Sequence, residues 1–172
     1  MNNESEIRIY VADLAAYNAG ILHGVWIDAT DDLEDIHAQV GTMLAASPVG
    51  GAEEYAIHDH EGFGGYALSD YEGLESTHAI AGFIAEYPEM GGALLGHFGD
   101  LDEARRAAKE DYCGCHWSVA DFAQELTEET SDVPEHLAFY IDYDRMGRDM
   151  EMNGDVFTIE TGYNEVHIFW NR

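Results

Sequence analysis

Between Arg8 and Arg105 the chain has no lysine and no arginine, yet that stretch holds eighteen aspartates and glutamates. A fold can bear such an imbalance only if apolar burial outweighs the mutual repulsion of its carboxylates. Across all 172 residues, 35 acids face 7 bases, a formal net charge of -28. That ratio ordinarily marks a disordered tail, with too little apolar surface to offset chain entropy. Here 46% of residues are hydrophobic and 12% aromatic, which is enough for a core. The carboxylates therefore belong to ordered structure and hold fixed positions on it.

This charge excludes several classes of function. Nucleic acid is an improbable partner, since phosphate binding needs clustered lysine and arginine. An anionic membrane surface is disfavoured for the same reason. No run approaches the ~20 apolar residues of a membrane span. The start, Met1 to Glu6, has neither the basic region nor the apolar run of a signal peptide. Cys113 and Cys115 lie too close for an ordinary disulfide, so a reducing cytoplasm is the expected location. A cationic protein surface, by contrast, would be drawn in from a distance.

Hydrophobic periodicity predicts an α+β protein of three small modules in a row. In the first, residues 1–61, Ile7, Ile9 and Val11 alternate as a strand and Gly24–Asp28 form a second. Thr30 is then read as the N-cap of a helix over 31–46, with Leu33, Ile36, Val40, Met43 and Leu44 inward. Tyr55–His58 make a third strand, completing a small α/β unit. Gly62-Phe63-Gly64-Gly65 reads as a flexible joint.

The second module, 62–104, is expected to be helical. Ser76 would cap a helix bearing Ile80, Phe83, Ile84 and Tyr87, and Pro88 would open a short one bearing Met90, Leu94 and Leu95. Asp100 caps another, with Glu103 at the capping-box position. In the third module, 105–172, Ser118 and Asp121 mark a helix start. Pro134 suits the first turn of a helix carrying Leu137, Ile141 and Met150. Val156–Thr161 and Glu165–Trp170 flank a turn, a terminal hairpin.

Two constellations invite an enzymatic reading. Cys113, Cys115 and His116, with His97 upstream, have ligand chemistry but not the paired spacing of structural zinc. His58 and His60 would share one face of a strand, with Asp59 and Glu61 on the other, and no spacing supplies a third ligand. A metal-dependent hydrolase built on His58 and His60 thus stays open as one alternative. An acidic chaperone or adaptor for basic proteins is the second. Arg105, Arg106 and Lys109, the sole basic cluster, read as helix-surface partners of nearby acids, Asp102 above all.

The acids carry the sharper reading. On a helix, side chains three or four residues apart lie ~5–6 Å from one another. A duplex presents a phosphate every ~3.4 Å along each strand. Sets such as Asp31/Glu34/Asp35, Asp121/Glu125/Glu128 and Asp142/Asp144/Asp149 can therefore approach the charge density of nucleic acid. Adaptation to high salt would leave the same bulk composition.

The run from Arg8 to Ala29, RIYVADLAAYNAGILHGVWIDA, closely resembles the start of ArdA antirestriction proteins. The likeness continues at Glu54–Phe63 (EYAIHDHEGF), Tyr112–Gly114 (YCG), Tyr140–Asp144 (YIDYD) and Val166–Trp170 (VHIFW). Leu126–Leu137 (LTEETSDVPEHL) is similar to the acidic antirestriction motif of such proteins. Thr127, Thr130 and the Cys115-His116-Trp117 run depart from the family pattern. The resemblance implies an elongated, curved molecule that dimerises through its C-terminal part and mimics bent B-form DNA. Its target would be the DNA groove of Type I restriction-modification enzymes, on the methyltransferase core containing the specificity subunit. Such a protein, carried on a plasmid or other mobile element, would need no cofactor and no catalytic residue.

The phosphate substitutes expected on this basis start with Asp31, Asp32, Glu34 and Asp35, followed by Asp70, Glu72, Glu75 and Glu86. Asp100, Asp102 and Glu103 come next, then Asp121, Glu125, Glu128 and Glu129, and last Asp132, Glu135, Asp142 and Asp144.

Overall fold

The computed structural model describes residues 6–172. The reading of Met1–Glu6 as lacking a leader therefore falls, apart from Glu6, outside the described residues. The chain divides into two compact units, the first ending at His97 and the second running Phe98–Arg172. Both combine helices with one small antiparallel sheet, so the mixed α and β class expected from the sequence holds.

In the first unit β1 (Arg8–Asp13) is the centre of a three-stranded sheet, between β2 (Gly24–Asp28) and β3 (Tyr55–Glu61). Both neighbours run antiparallel to it. Between β2 and β3 the chain passes through α2 (Leu33–Ala45), a crossover whose two strands are split by β1. Ile9, Val11, Ile27 and Ile57 bury from the sheet, and Ile36, Val40 and Met43 bury from α2. Helix α3 (Leu74–Glu86) adds Leu74, Ile80, Phe83 and Ile84 to the core, and α4 (Gly91–Phe98) adds Leu94 and Leu95.

Several local expectations need correction. A short helix, α1 (Leu14–Asn18), follows β1 without a break. Its N-cap is Asp13, fully buried, whose Oδ1 accepts from Ala16 N at 3.2 Å. Thr30 does not cap α2. It donates instead to Asp28 Oδ1 at 2.6 Å, closing a turn, and Asp32 takes the N-cap position. Ser76 lies inside α3 and bonds Glu72, while Gly73 holds the N-cap position. The helix after Pro88 begins only at Gly91.

Gly62–Gly65 is not a loose joint. A Cβ on Gly62 would sit 2.4 Å from the Glu6 carbonyl oxygen, and one on Gly92 would sit 2.4 Å from that of Phe63. Phe63 itself is buried. Backbone packs on backbone here, and glycine is what allows it.

The second unit is organised around β6 (Glu165–Trp170), which lies between β4 (Tyr112–His116) and β5 (Val156–Gly162). The terminal hairpin is as expected, turning at Asn164 with φ 57°. Strand β4 had no clear alternating signature. It is broken by a register shift between Tyr112 and Cys115, with Gly114 at φ 99°. Phe122, Val156, Val166 and Ile168 form the core, with Val119, Leu126, Met150 and Trp170 packed around it.

Helix α5 (Leu101–Arg106) starts at Asp100, whose carboxylate accepts from Glu103 N at 2.9 Å. It continues through a π-helical turn to Asp111. Helix α6 (Val119–Thr130) is capped by Ser118, which accepts from Asp121 N at 3.1 Å. The helix expected from Pro134 onward is instead two. A four-residue α7 (Glu135–Ala138) buries no side chain, and α8 (Tyr143–Met152) starts anew with Asp142 accepting from Arg145 N at 3.0 Å. The aspartate cap supplies a fresh start that a continuous 3.6-residue pattern does not reveal.

Helices α6 and α8 meet at Gly147. A Cβ there would lie 2.9 Å from Ala120 N and 3.0 Å from Val119 C. Gly147→Val is therefore expected to lower unfolding free energy by ~1–3 kcal/mol through overpacking. Urea denaturation followed by circular dichroism measures this, and an unchanged midpoint would show that the two helices do not cross so closely.

A pH effect follows from Asp13. The neighbouring Ser47 hydroxyl holds its carboxyl below the ordinary range, opposed by burial and aided by the N–H groups of Ala16 and Ala15. A folded-state value below the unfolded one gives stability that is present above about pH 4 and lost as pH falls through the depressed value. Acidification should at the same time relieve repulsion among the other carboxylates. The Asp13 contribution therefore reads out as a difference. Wild type should lose its stability advantage over Asp13→Asn between about pH 5 and pH 2, and parallel denaturation curves across that range would refute the assignment.

Candidate partner-binding surface

The acids named from the sequence lie overwhelmingly at the surface. Of the nineteen, seventeen are exposed, and only Asp31 and Glu72 are half-buried. The half-burial has local causes. Asp31 accepts from Gln39 Nε2 at 3.2 Å, and Glu72 accepts from Ser76. Neither is paired to a cation by these contacts.

Helical geometry decides which acids stand together. On α6, Asp121, Glu125 and Glu128 follow at i, i+4 and i+7, on the face opposite buried Phe122 and Ala123. Glu128 accepts from Gln124 at 2.9 Å, and Glu125 lies 3.2 Å from His116 Nδ1. Glu129, Asp132 and Glu135 continue the exposed acidic run toward α7. On α2 only Glu34 and Asp35 occupy the first turn, since Asp31 and Asp32 precede the helix. The set Asp142/Asp144/Asp149 does not form one row. Asp142 is a cap, and Asp144 is one and two turns from Arg148 and Glu151 on a common face. Asp70, Glu75, Glu86 and Asp102 are exposed as well.

Cations are scarce and several are already engaged. Arg8 Nε donates to Glu61 at 2.7 Å, and its guanidinium lies 4.9 Å from the Trp26 ring centroid. Arg106 reaches Glu103 at 3.0 Å and Asp111 at 2.6 Å, in place of the expected Asp102. Arg172 Nε lies 2.8 Å from the other oxygen of Asp111. Asp111 is 1% exposed, so this pair of guanidinium groups offsets the desolvation of a buried carboxylate.

The constellations that suggested a metal fall apart in three dimensions. In β3 the pairing passes from Tyr10–Asp59 to Val11–Ile57, leaving His58 in a bulge. The alternation that would align His58 with His60 is lost there. His58 meets Tyr17 edge-on at 4.8 Å, and His60 meets Phe63 at 5.5 Å. In β4 the register shift leaves Cys113 half-buried and Cys115 exposed. Burial pushes the Cys113 thiol up, and His116 is occupied at both nitrogens, by Glu125 and the Cys113 carbonyl. Among the described residues, no three His, Cys, Asp or Glu side chains gather as a metal-holding group. No helix there is long and apolar enough to cross a membrane.

Glu151 and Glu160 carry no local sequence signature that singles them out. Both line an open cleft of about 440 Å³ in the second unit, with Trp117, Asp144, Arg148 and Tyr163. Glu160 stands on a strand and Glu151 on a helix, so no single periodicity connects them.

What the site offers is exposed carboxylate, held by capped helices and short sheets, with little cation to neutralise it. No curated protein matches the chain. The family model described as antirestriction protein (ArdA) matches residues 9–165, almost the whole sequence. The chain belongs to the ArdA family of antirestriction proteins.

Proposed function

We propose that this protein mimics bent B-form DNA and inhibits Type I restriction-modification enzymes by occupying the DNA groove of their methyltransferase core. The observation that carries the proposal is the exposure of seventeen of nineteen candidate acids, twelve of them on helices and three more at helix N-cap positions. A groove built for phosphates is lined by cations and gains affinity by displacing counterions. Ordered carboxylates engage the same cations but supply no strand to cut or methylate. Because phosphate contacts carry no sequence information, one inhibitor can serve enzymes of different specificity.

The proposal extends to three modules, 1–61, 62–104 and 105–172, with dimerisation through the C-terminal part. Exposure of Phe139 and Tyr140, with Leu137 half exposed beside them around α7, supports a protein contact in that region. Action in the cytoplasm of a cell receiving a mobile element follows from the same reading.

Displacement tests it directly. The protein should release a labelled duplex from a Type I methyltransferase in a titratable manner, and the apparent affinity should fall at least about tenfold between 50 and 200 mM salt. Binding to histones without duplex displacement would replace this reading with that of an acidic chaperone.

Charge spread over many positions predicts a graded response. Single changes such as Asp35→Asn or Glu75→Gln should weaken inhibition by less than about fivefold, since exposed ion pairs contribute ~0–1 kcal/mol each. The triple change Asp121→Asn, Glu125→Gln and Glu128→Gln should cost about tenfold or more. Complete loss from one well-folded amide variant would contradict a distributed surface.

A further inference from the structure

The cleft of the second unit combines carboxylates with exposed aromatic rings. Three carboxylates, Asp144, Glu151 and Glu160, face it alongside a single guanidinium, Arg148. Two large aromatic side chains also line it, Trp117 at 72% exposure and Tyr163 at 94%. Neither ring is used by the core around Phe122 and Val166. Tyr163 stands at the hairpin turn beside Asn164, and Trp117 lies between the end of β4 and the Ser118 cap of α6. Well-formed elements thus carry both rings into solvent.

An anionic ligand would meet a net negative lining. An uncharged apolar ligand would leave three carboxylates unmatched. A planar cation satisfies both features, because guanidinium stacks on aromatic faces and donates in a fork to carboxylates. The cleft volume of about 440 Å³ falls within the usual range for small-group binding sites. Lysine, a compact and strongly hydrated charge, gains less from such stacking.

We propose that this cleft captures arginine side chains of the partner enzyme's cationic groove, adding a specific anchor to the diffuse attraction of the acidic surface. The proposal rests on the functional reading above and names the side chain that the surface selects. Trp and Tyr are the residue types that most often dominate binding energy at interfaces.

The test uses the full chain and three variants, Trp117→Ala, Trp117→Leu and Tyr163→Ala, none of which alters the net charge. Because both rings are exposed, thermal melting should be unchanged. Duplex displacement from a Type I methyltransferase should weaken about tenfold in each variant. Trp117→Leu keeps an apolar side chain but no π face, so loss there separates stacking from simple burial.

In a second measurement, the Trp117 indole N–H resonance is followed by nuclear magnetic resonance during titration with a tri-arginine or a tri-lysine peptide. Arginine should shift it at several-fold lower concentration than lysine. Variants within twofold of wild type, in a protein that still displaces duplex, would overturn the arginine anchor and leave the mimicry reading intact. Failure of wild type to displace duplex would remove the mimicry reading, and the peptide titration would then decide on the cleft alone. Equal responses to the two peptides would sink it.

Discussion

The buried carboxylate of Asp111, flanked by Arg106 and Arg172, sets the terms for the electrostatics of this chain. A carboxylate removed from water must be paired or it will neutralise itself. Here that pairing occupies two of only seven cationic side chains. Arg8 is occupied in the other unit, tying Glu61 of β3 to Trp26 of β2. Buried Asp111 thus draws two cations inward, although Arg106 also reaches exposed Glu103 and Arg8 pairs at the surface. The outer acids are left to face solvent or a partner.

Beyond ion pairs such as Arg8–Glu61 and Arg106–Glu103, the fold steadies that surface through its helix ends. Helices α2, α3, α5, α6, α7 and α8 all carry acids in the first turn, where the positive end of the helix dipole favours them. Asp13, Asp100, Ser118 and Asp142 satisfy orphan N–H groups as caps. Acids thereby contribute to local structure even as they repel one another at longer range. Repulsion is offset by the apolar cores around Ile9, Ile57 and Phe83 in one unit and around Phe122 and Ile168 in the other. A scaffold of this kind keeps its carboxylates in place, which an unfolded acidic chain cannot do.

Local signals in the chain were legible where one rule dominates. The alternation of Ile7, Ile9 and Val11, the Asp100 and Ser118 caps and the terminal hairpin each follow from a short pattern, and each is found. Misreadings arose where two rules compete. Thr30 and Ser76 are good capping residues, yet Asp28 and Glu72 offered their hydroxyls other partners. Gly62–Gly65 has the composition of a hinge, but Gly62 and Gly64 serve close backbone approach. The exposure of the candidate acids was readable because charged side chains seldom bury unpaired.

Composition and pattern by themselves determined that this is a folded, mixed α and β protein with far more carboxylate than cation, and its motifs placed it in the ArdA family. Both follow from what each residue is and from its near neighbours in sequence. Only the tertiary structure decided which charges are neutralised and which side chains meet. Bulges at His58 and near Gly114 separate groups that spacing had aligned, and the second unit places Glu151 of a helix and Glu160 of a strand on one cleft. Such meetings depend on strand register and helix crossing, which arise from packing between segments far apart in the chain, so no local pattern records them.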